Sequence, residues 1–324
     1  TTTLGAVSTT GYSTHASTPP SQTVVTSPST QSTTYDTHSS TPPSAVVVTP
    51  AAVGDGVIDT NIISTAADGA YFVSTADIDG DGDIDVLSAS YLDDTVAWYE
   101  NNGSGAFTEH IISTAVYATY SVTTADVDGD GDMDVLSTSW NDDKIAWYEN
   151  DGSESFTEHT ITTAANGATS VTTADVDGDG DMDVLSASFY DDKIAWYEND
   201  GSEIFTAHTI TTAANAARSV TTADVDGDGD MEVLSASAND DTIAWYENDG
   251  SENFTEHTVS TGADYATSVT TADVDGDGDM DVLSASAVDD TIAWYQNDGS
   301  ENFTEQTIST TADGAYSVST DDVD

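Results

Sequence analysis

One stretch of nine residues constrains this chain more than any other feature: Asp126-Val127-Asp128-Gly129-Asp130-Gly131-Asp132-Met133-Asp134. The pattern returns at 77–85, 175–183, 224–232 and 273–281, each copy beginning 49 residues after the one before. A sixth copy begins at Asp322 and stops at Asp324. Carboxylates at alternate positions, with glycines between them, make a tight loop whose oxygens converge. In water such a loop repels itself. Around a hard divalent cation the repulsion becomes ligation. Calcium takes about six to eight oxygens at roughly 2.3–2.6 Å, and a D-x-D-x-D-G run supplies them. Oxygen donors without His or Cys favour calcium over zinc, and magnesium fits less well. The loops therefore read as five calcium sites, one per repeat.

A period of roughly 20–50 residues signals a solenoid, propeller or array. Within one unit, Ser121–Ala125 is short and rich in β-branched residues. From the end of the acidic loop, Met133–Ser139 is read as alternating apolar and small polar residues. Asn141-Asp142-Asp143 is a turn, Lys144–Glu149 is again strand-like, and Asn150-Asp151-Gly152-Ser153 is a hairpin turn before Phe156–Thr162. Four short strands with turn chemistry between them describe one blade of a β-propeller. The predicted fold is all-β, with five complete four-stranded blades and one split blade. That blade takes its fourth strand from 57–66 and its first from Tyr316 onward, leaving strands two and three unassigned.

Residues 1–52 differ in kind. Half of the first 50 are Ser or Thr, all six prolines lie there, and Asp36 is the one charged residue. A weaker repeat of 23 residues aligns Val24-Val25-Thr26 with Val47-Val48-Thr49. Such sequence predicts an extended, O-glycosylated stalk with too little apolar surface for a core. The valine runs also suit strands added to a sheet edge of another subunit. The propeller is expected over 53–324. Asn102, Asn253 and Asn302 open N-glycosylation sequons.

The chain of 324 residues carries 60 acids against Lys144, Lys193 and Arg218, a formal charge of −57. That excludes nucleic acid and anionic membrane surfaces as partners, since both need basic residues. Five bound divalent cations would bring −57 only to −47, so folding should depend on the metal. There is no cysteine, and no apolar run of about 20 residues for a membrane span. A chain that starts at Thr1 and stops inside a repeat is expected to be a segment of a longer protein.

The unit A-D-V-D-G-D-G-D-M-D-V-L-S-A-S, with W-Y-E-N-D-G-S and F-T-E-H after it, resembles the VCBS/FG-GAP repeat of integrin-α-type propellers. The resemblance implies ligands from loop positions one, three, five and nine, with the backbone carbonyl of position seven. These are Asp77, Asp79, Asp81, Asp85 and the carbonyl of Asp83; then Asp126, Asp128, Asp130, Asp134 and Asp132. The third set is Asp175, Asp177, Asp179, Asp183 and Asp181. The fourth is Asp224, Asp226, Asp228 and Asp230, with Glu232 replacing the usual aspartate. The fifth is Asp273, Asp275, Asp277, Asp281 and Asp279.

Alternating strand direction puts the acidic loops and N-D-G-S turns on one face. The other face carries what varies between copies: Tyr91-Leu92, Trp140-Asn141, Phe189-Tyr190, Ala238-Asn239 and Ala287-Val288. Repeated Trp98, Trp147, Trp196, Trp245 and Trp294 are expected in the core. His110, His159, His208 and His257 are expected to be structural or solvent-facing. No G-x-S-x-G, H-E-x-x-H or phosphate loop is present, so no catalytic site is expected. The expected function is structural or adhesive, in an extracellular setting, through self-association into a fibre or surface layer. The alternative is a glycan- or protein-binding module that uses the variable aromatic face.

Overall fold

The computed structural model describes residues 61–321, together with two short strands, β1 (Val24–Val25) and β2 (Val46–Val48). Among the described residues there is no helix. A short outer strand, β3 (Asn61–Ser64), leads into the first complete blade. That blade is an antiparallel meander of β4 (Ala70–Ala76), β5 (Asp85–Ser90), β6 (Thr95–Asn101) and β7 (Phe107–Ser113). The same four-stranded meander recurs over 119–162, 168–211, 217–260 and 266–309.

The sequence explains why each blade is covered on both sides. Every residue of β5 is buried, including Asp85, Ser88 and Ser90. Its serines are small enough for close approach, and Ser88 Oγ lies 3.3 Å from the Tyr99 hydroxyl. Consecutive blades share a core. Trp98 packs with Val122, Val135, Ala146 and Tyr148 of the next blade. Trp147, Trp196 and Trp245 sit the same way and are at most 1 % exposed. Each such ring removes roughly 150–250 Å² from water, a gross gain of about 4–6 kcal/mol. Trp294 is only half-buried, because the blade it faces has shorter strands.

Six inner segments line a central channel, through residue pairs 49 apart that run from Tyr71-Phe72 to Tyr316-Ser317. Residues 315–320 hold the sixth position without regular strand pairing. Val318 N donates to Ser268 Oγ, as Val269 N does to Ser219 Oγ and Val220 N to Ser170 Oγ. The Tyr316 ring meets Tyr71 edge-on at 5.4 Å, which closes the ring.

The sixth blade takes a further strand from the N-terminal valines. β2 pairs antiparallel with β3, matching Val46 to Ser64, Val47 to Ile62 and Val48 to Asn61. That register, bulge included, is the one by which β6 pairs with β7: Val96 to Ser113, Ala97 to Ile111 and Trp98 to His110. β1 then pairs in parallel with β2. The valine runs thus find a sheet edge within this chain. The rest of the 1–52 segment, with its expected glycans, lies outside the described residues.

Candidate metal centres

The acidic loop joins the innermost strand of each blade to the second. Its two glycines have positive φ, 72° at Gly80 and 95° at Gly82, a region that residues with a Cβ enter at a cost. This backbone lets each carboxylate cap an amide further along. Asp77 Oδ2 accepts from Gly82 N at 3.0 Å, Asp79 Oδ1 from Asp81 N at 3.1 Å, and Asp81 Oδ1 from Asp83 N at 2.8 Å.

Position nine is the anchor. Asp85, Asp134, Asp183, Glu232 and Asp281 are fully buried. Asp134 Oδ2 accepts from Val127 N at 2.9 Å and Oδ1 from Asn150 N at 2.8 Å, tying the loop to the N-D-G turn. Asp85, Asp183 and Asp281 make the same two bonds. Burial pushes their carboxyl groups up, to about 6 for Asp134 and Asp183 and to about 7 for Glu232. Position three, at Asp79, Asp128, Asp177 and Asp226, is also raised, first by desolvation.

In each of the five complete blades, one oxygen each from positions one, three and nine lies within 4.8 Å of the others. The groups are Asp77, Asp79 and Asp85; Asp126, Asp128 and Asp134; Asp175, Asp177 and Asp183; Asp224, Asp226 and Glu232; Asp273, Asp275 and Asp281. The side chains of positions five and seven are outside these groups. Position five (Asp81, Asp130, Asp179, Asp228, Asp277) caps the amide of position seven. Position seven (Asp83, Asp132, Asp181, Asp230, Asp279) lies against the glycine of the N-D-G turn, where a Cβ on Gly152 would overlap Asp132 Oδ2.

The donor set fits a hard cation. Asp77 Oδ1, Asp126 Oδ1 and Glu232 Oε1 are buried oxygens without a hydrogen-bond partner. An unpaired buried carboxylate oxygen is costly, and a cation bridging positions one, three and nine would satisfy it. Glu232, one methylene longer, keeps the bond from Val225 N at 2.6 Å.

Two sets of residues escaped the sequence reading. Asn150 Nδ2 donates to Ile78 O in the neighbouring acidic loop and to Met133 O in its own. Asn199, Asn248 and Asn297 repeat both bonds, so the N-D-G asparagine links adjacent loops. The second Asp of each D-D turn accepts from the next blade, as Asp143 Oδ1 does from Gly167 N at 2.9 Å. The recurrence of D-D in every unit, and of N-D-G in all but the first (Asn101-Asn102-Gly103), was the available signal. The histidines stack on the tryptophans at 4.5 Å and pair with a glutamate at 2.8–2.9 Å, as His159 does with Glu149.

The FG-GAP-like repeat profile matches at residues 77–137, 126–186, 175–235, 225–284 and 273–324. The chain belongs to the FG-GAP-like repeat family. No curated protein sequence matches it significantly. Among solved structures, a protein from Lactobacillus plantarum superposes with a TM-score of 0.64 at 14% identity, covering 84% of this chain and 81% of that one. The periplasmic gluconolactonase PpgL of Pseudomonas aeruginosa gives 0.58 at 15% identity, covering 81% and 76%. A functionally unknown protein from Desulfotomaculum acetoxidans gives 0.59 at 10% identity, covering 85% and 83%. At these identities the likeness is one of fold.

Proposed function

We propose that this FG-GAP-like repeat protein is a calcium-stapled, non-enzymatic propeller with a structural or adhesive role outside the cell. The observation that carries this reading is the repeated carboxylate triad of positions one, three and nine, one per blade, with orphaned oxygens at Asp77, Asp126 and Glu232. Partly exposed oxygen sites of this type hold calcium at about 10⁻⁴–10⁻³ M in extracellular modules. Within the acidic loops the carboxylates of positions one, three and five cap backbone amides, and this reading assigns positions one, three and nine to the ion rather than to acid–base chemistry. The gluconolactonase likeness supports the scaffold and not that chemistry.

Self-association into a fibre or surface layer fits the sixth blade. Its Val46–Val48 strand follows a Thr/Ser/Pro-rich segment, so the same edge could accept the equivalent strand of a second copy. Glycans on the 1–52 segment would keep that segment extended and soluble. Electron microscopy of the full chain with calcium should show filaments or sheets. Single monodisperse particles at every protein and calcium concentration would overturn the assembly role.

A further inference from the structure

The face opposite the acidic loops holds a second feature, independent of the metal. Twelve residues line the central channel, and none of them is a carboxylate, in a chain with 60 acids. They are three tyrosines, one phenylalanine, five serines, two threonines and Arg218. The chain has one arginine and two lysines. Lys144 pairs with Glu158 at 2.6 Å and Lys193 with Asp191 at 3.0 Å. Among the described residues no carboxylate lies within ion-pair distance of Arg218. A guanidinium that avoids every available carboxylate keeps its N–H donors for something else.

Its surroundings say what that could be. Arg218 lies over the Phe189 ring at 4.5 Å and the Tyr265 ring at 5.4 Å, and Nη2 donates to the Tyr265 hydroxyl at 2.6 Å. The guanidinium is thus held in place from both neighbouring blades, while its buried Nε has no acceptor. The Ser170, Ser219 and Ser268 hydroxyl oxygens accept backbone amides, so their O–H groups remain free to donate. The channel therefore gathers donors and excludes acid. Its mouth is aromatic: Tyr316, Tyr71, Tyr120, Trp140 and Phe189 follow one another with ring centroids 4.2–5.4 Å apart. The exposed Tyr190 ring flanks Trp140 at 4.9 Å. The channel itself encloses about 60 Å³, room for a carboxylate group and not for a sugar ring, so a ring attached to that carboxylate rests outside it, on the aromatic mouth.

We propose that this channel mouth is a binding site for a carboxylate-bearing sugar, a uronic acid either free or at a chain end. The carboxylate meets Arg218 and the serine hydroxyls, and the sugar ring packs on Trp140 and Tyr190. Donors select the anion, and flat aromatic faces select a ring. The acidic loops take no part, because they open on the opposite face.

The test is calorimetric titration of the calcium-loaded full chain with glucuronate, with glucose, acetate and inorganic phosphate as controls. A digalacturonate titration separates a chain end from the free sugar. The expected result is saturable binding of the uronates, with the neutral sugar and the small anions much weaker. Arg218→Gln should weaken uronate binding by about tenfold to a hundredfold, the worth of a charge-assisted bond, with calcium binding unchanged. If that variant fails to fold, Arg218→Lys keeps the charge and loses the fork, and should still weaken binding. Equal binding of acetate and glucuronate would overturn the sugar assignment. No uronate binding, or equal binding by the Arg218 variants, would overturn the site.

Discussion

At the residue scale, one buried carboxylate per blade couples three pieces of backbone. Asp134 joins the acidic loop, the N-D-G turn and the proposed cation. Glu232 is the natural exception, and its Oε1 has no partner in the protein. Glu232→Asp should restore the missing bond to the Asn248 amide and raise stability in chelator by about 1 kcal/mol. Denaturant unfolding would read this, and a loss of stability would count against the anchor role. The N-D-G glycine is constrained twice, by φ of 70° at Gly152 and by Asp132 pressed against it. Gly152→Ala should cost about 1 kcal/mol or more and weaken one calcium site. An unchanged midpoint with full calcium stoichiometry would contradict this.

At the element scale, strands were legible because their chemistry repeats. Val135-Leu136-Ser137 and Ile145-Ala146-Trp147 are short runs of apolar and small residues bounded by turns, and both are buried on both faces, as strands between neighbouring blades must be. The loop face and the variable face also followed from strand direction alone. The bonds between loops were not legible, because Asn150 Nδ2 reaches Ile78 O across 72 residues. The first and fourth strands of the split sixth blade were legible, but its third was not, because Val46–Val48 is a run too short to carry a pattern. Register was what identified it, and register appears only in the fold. The tryptophans give a graded test. Trp147→Ala should cost about 3–5 kcal/mol, and Trp294→Ala clearly less, since it is only half-buried. Equal losses would contradict the packing described for the last blade.

At the scale of the whole molecule, charge sets the behaviour. The metal-free protein must hold five buried carboxylates in a chain of net charge −57. Burial raises Asp134 and Asp183 to about 6 and Glu232 to about 7. A raised acid binds its proton more tightly in the fold, so its contribution is greatest at low pH and is lost as pH rises through these values. In chelator, the protein should therefore lose stability as pH climbs through about 6–7. Calcium reverses the trend, because protons compete with the cation for the same oxygens. The gain in melting temperature from calcium should grow over that same range. A gain independent of pH would mean that the buried position-nine carboxylates do not bind the ion.

The most direct measurement is a calcium titration of the chelated protein, followed by its melting temperature with and without the ion. The five triads of positions one, three and nine predict saturation at five calcium ions per chain. They also predict a melting temperature that rises with free calcium, by mass action on the folded state. A melting curve that ignores both calcium and chelator, with no saturable binding, would contradict the account.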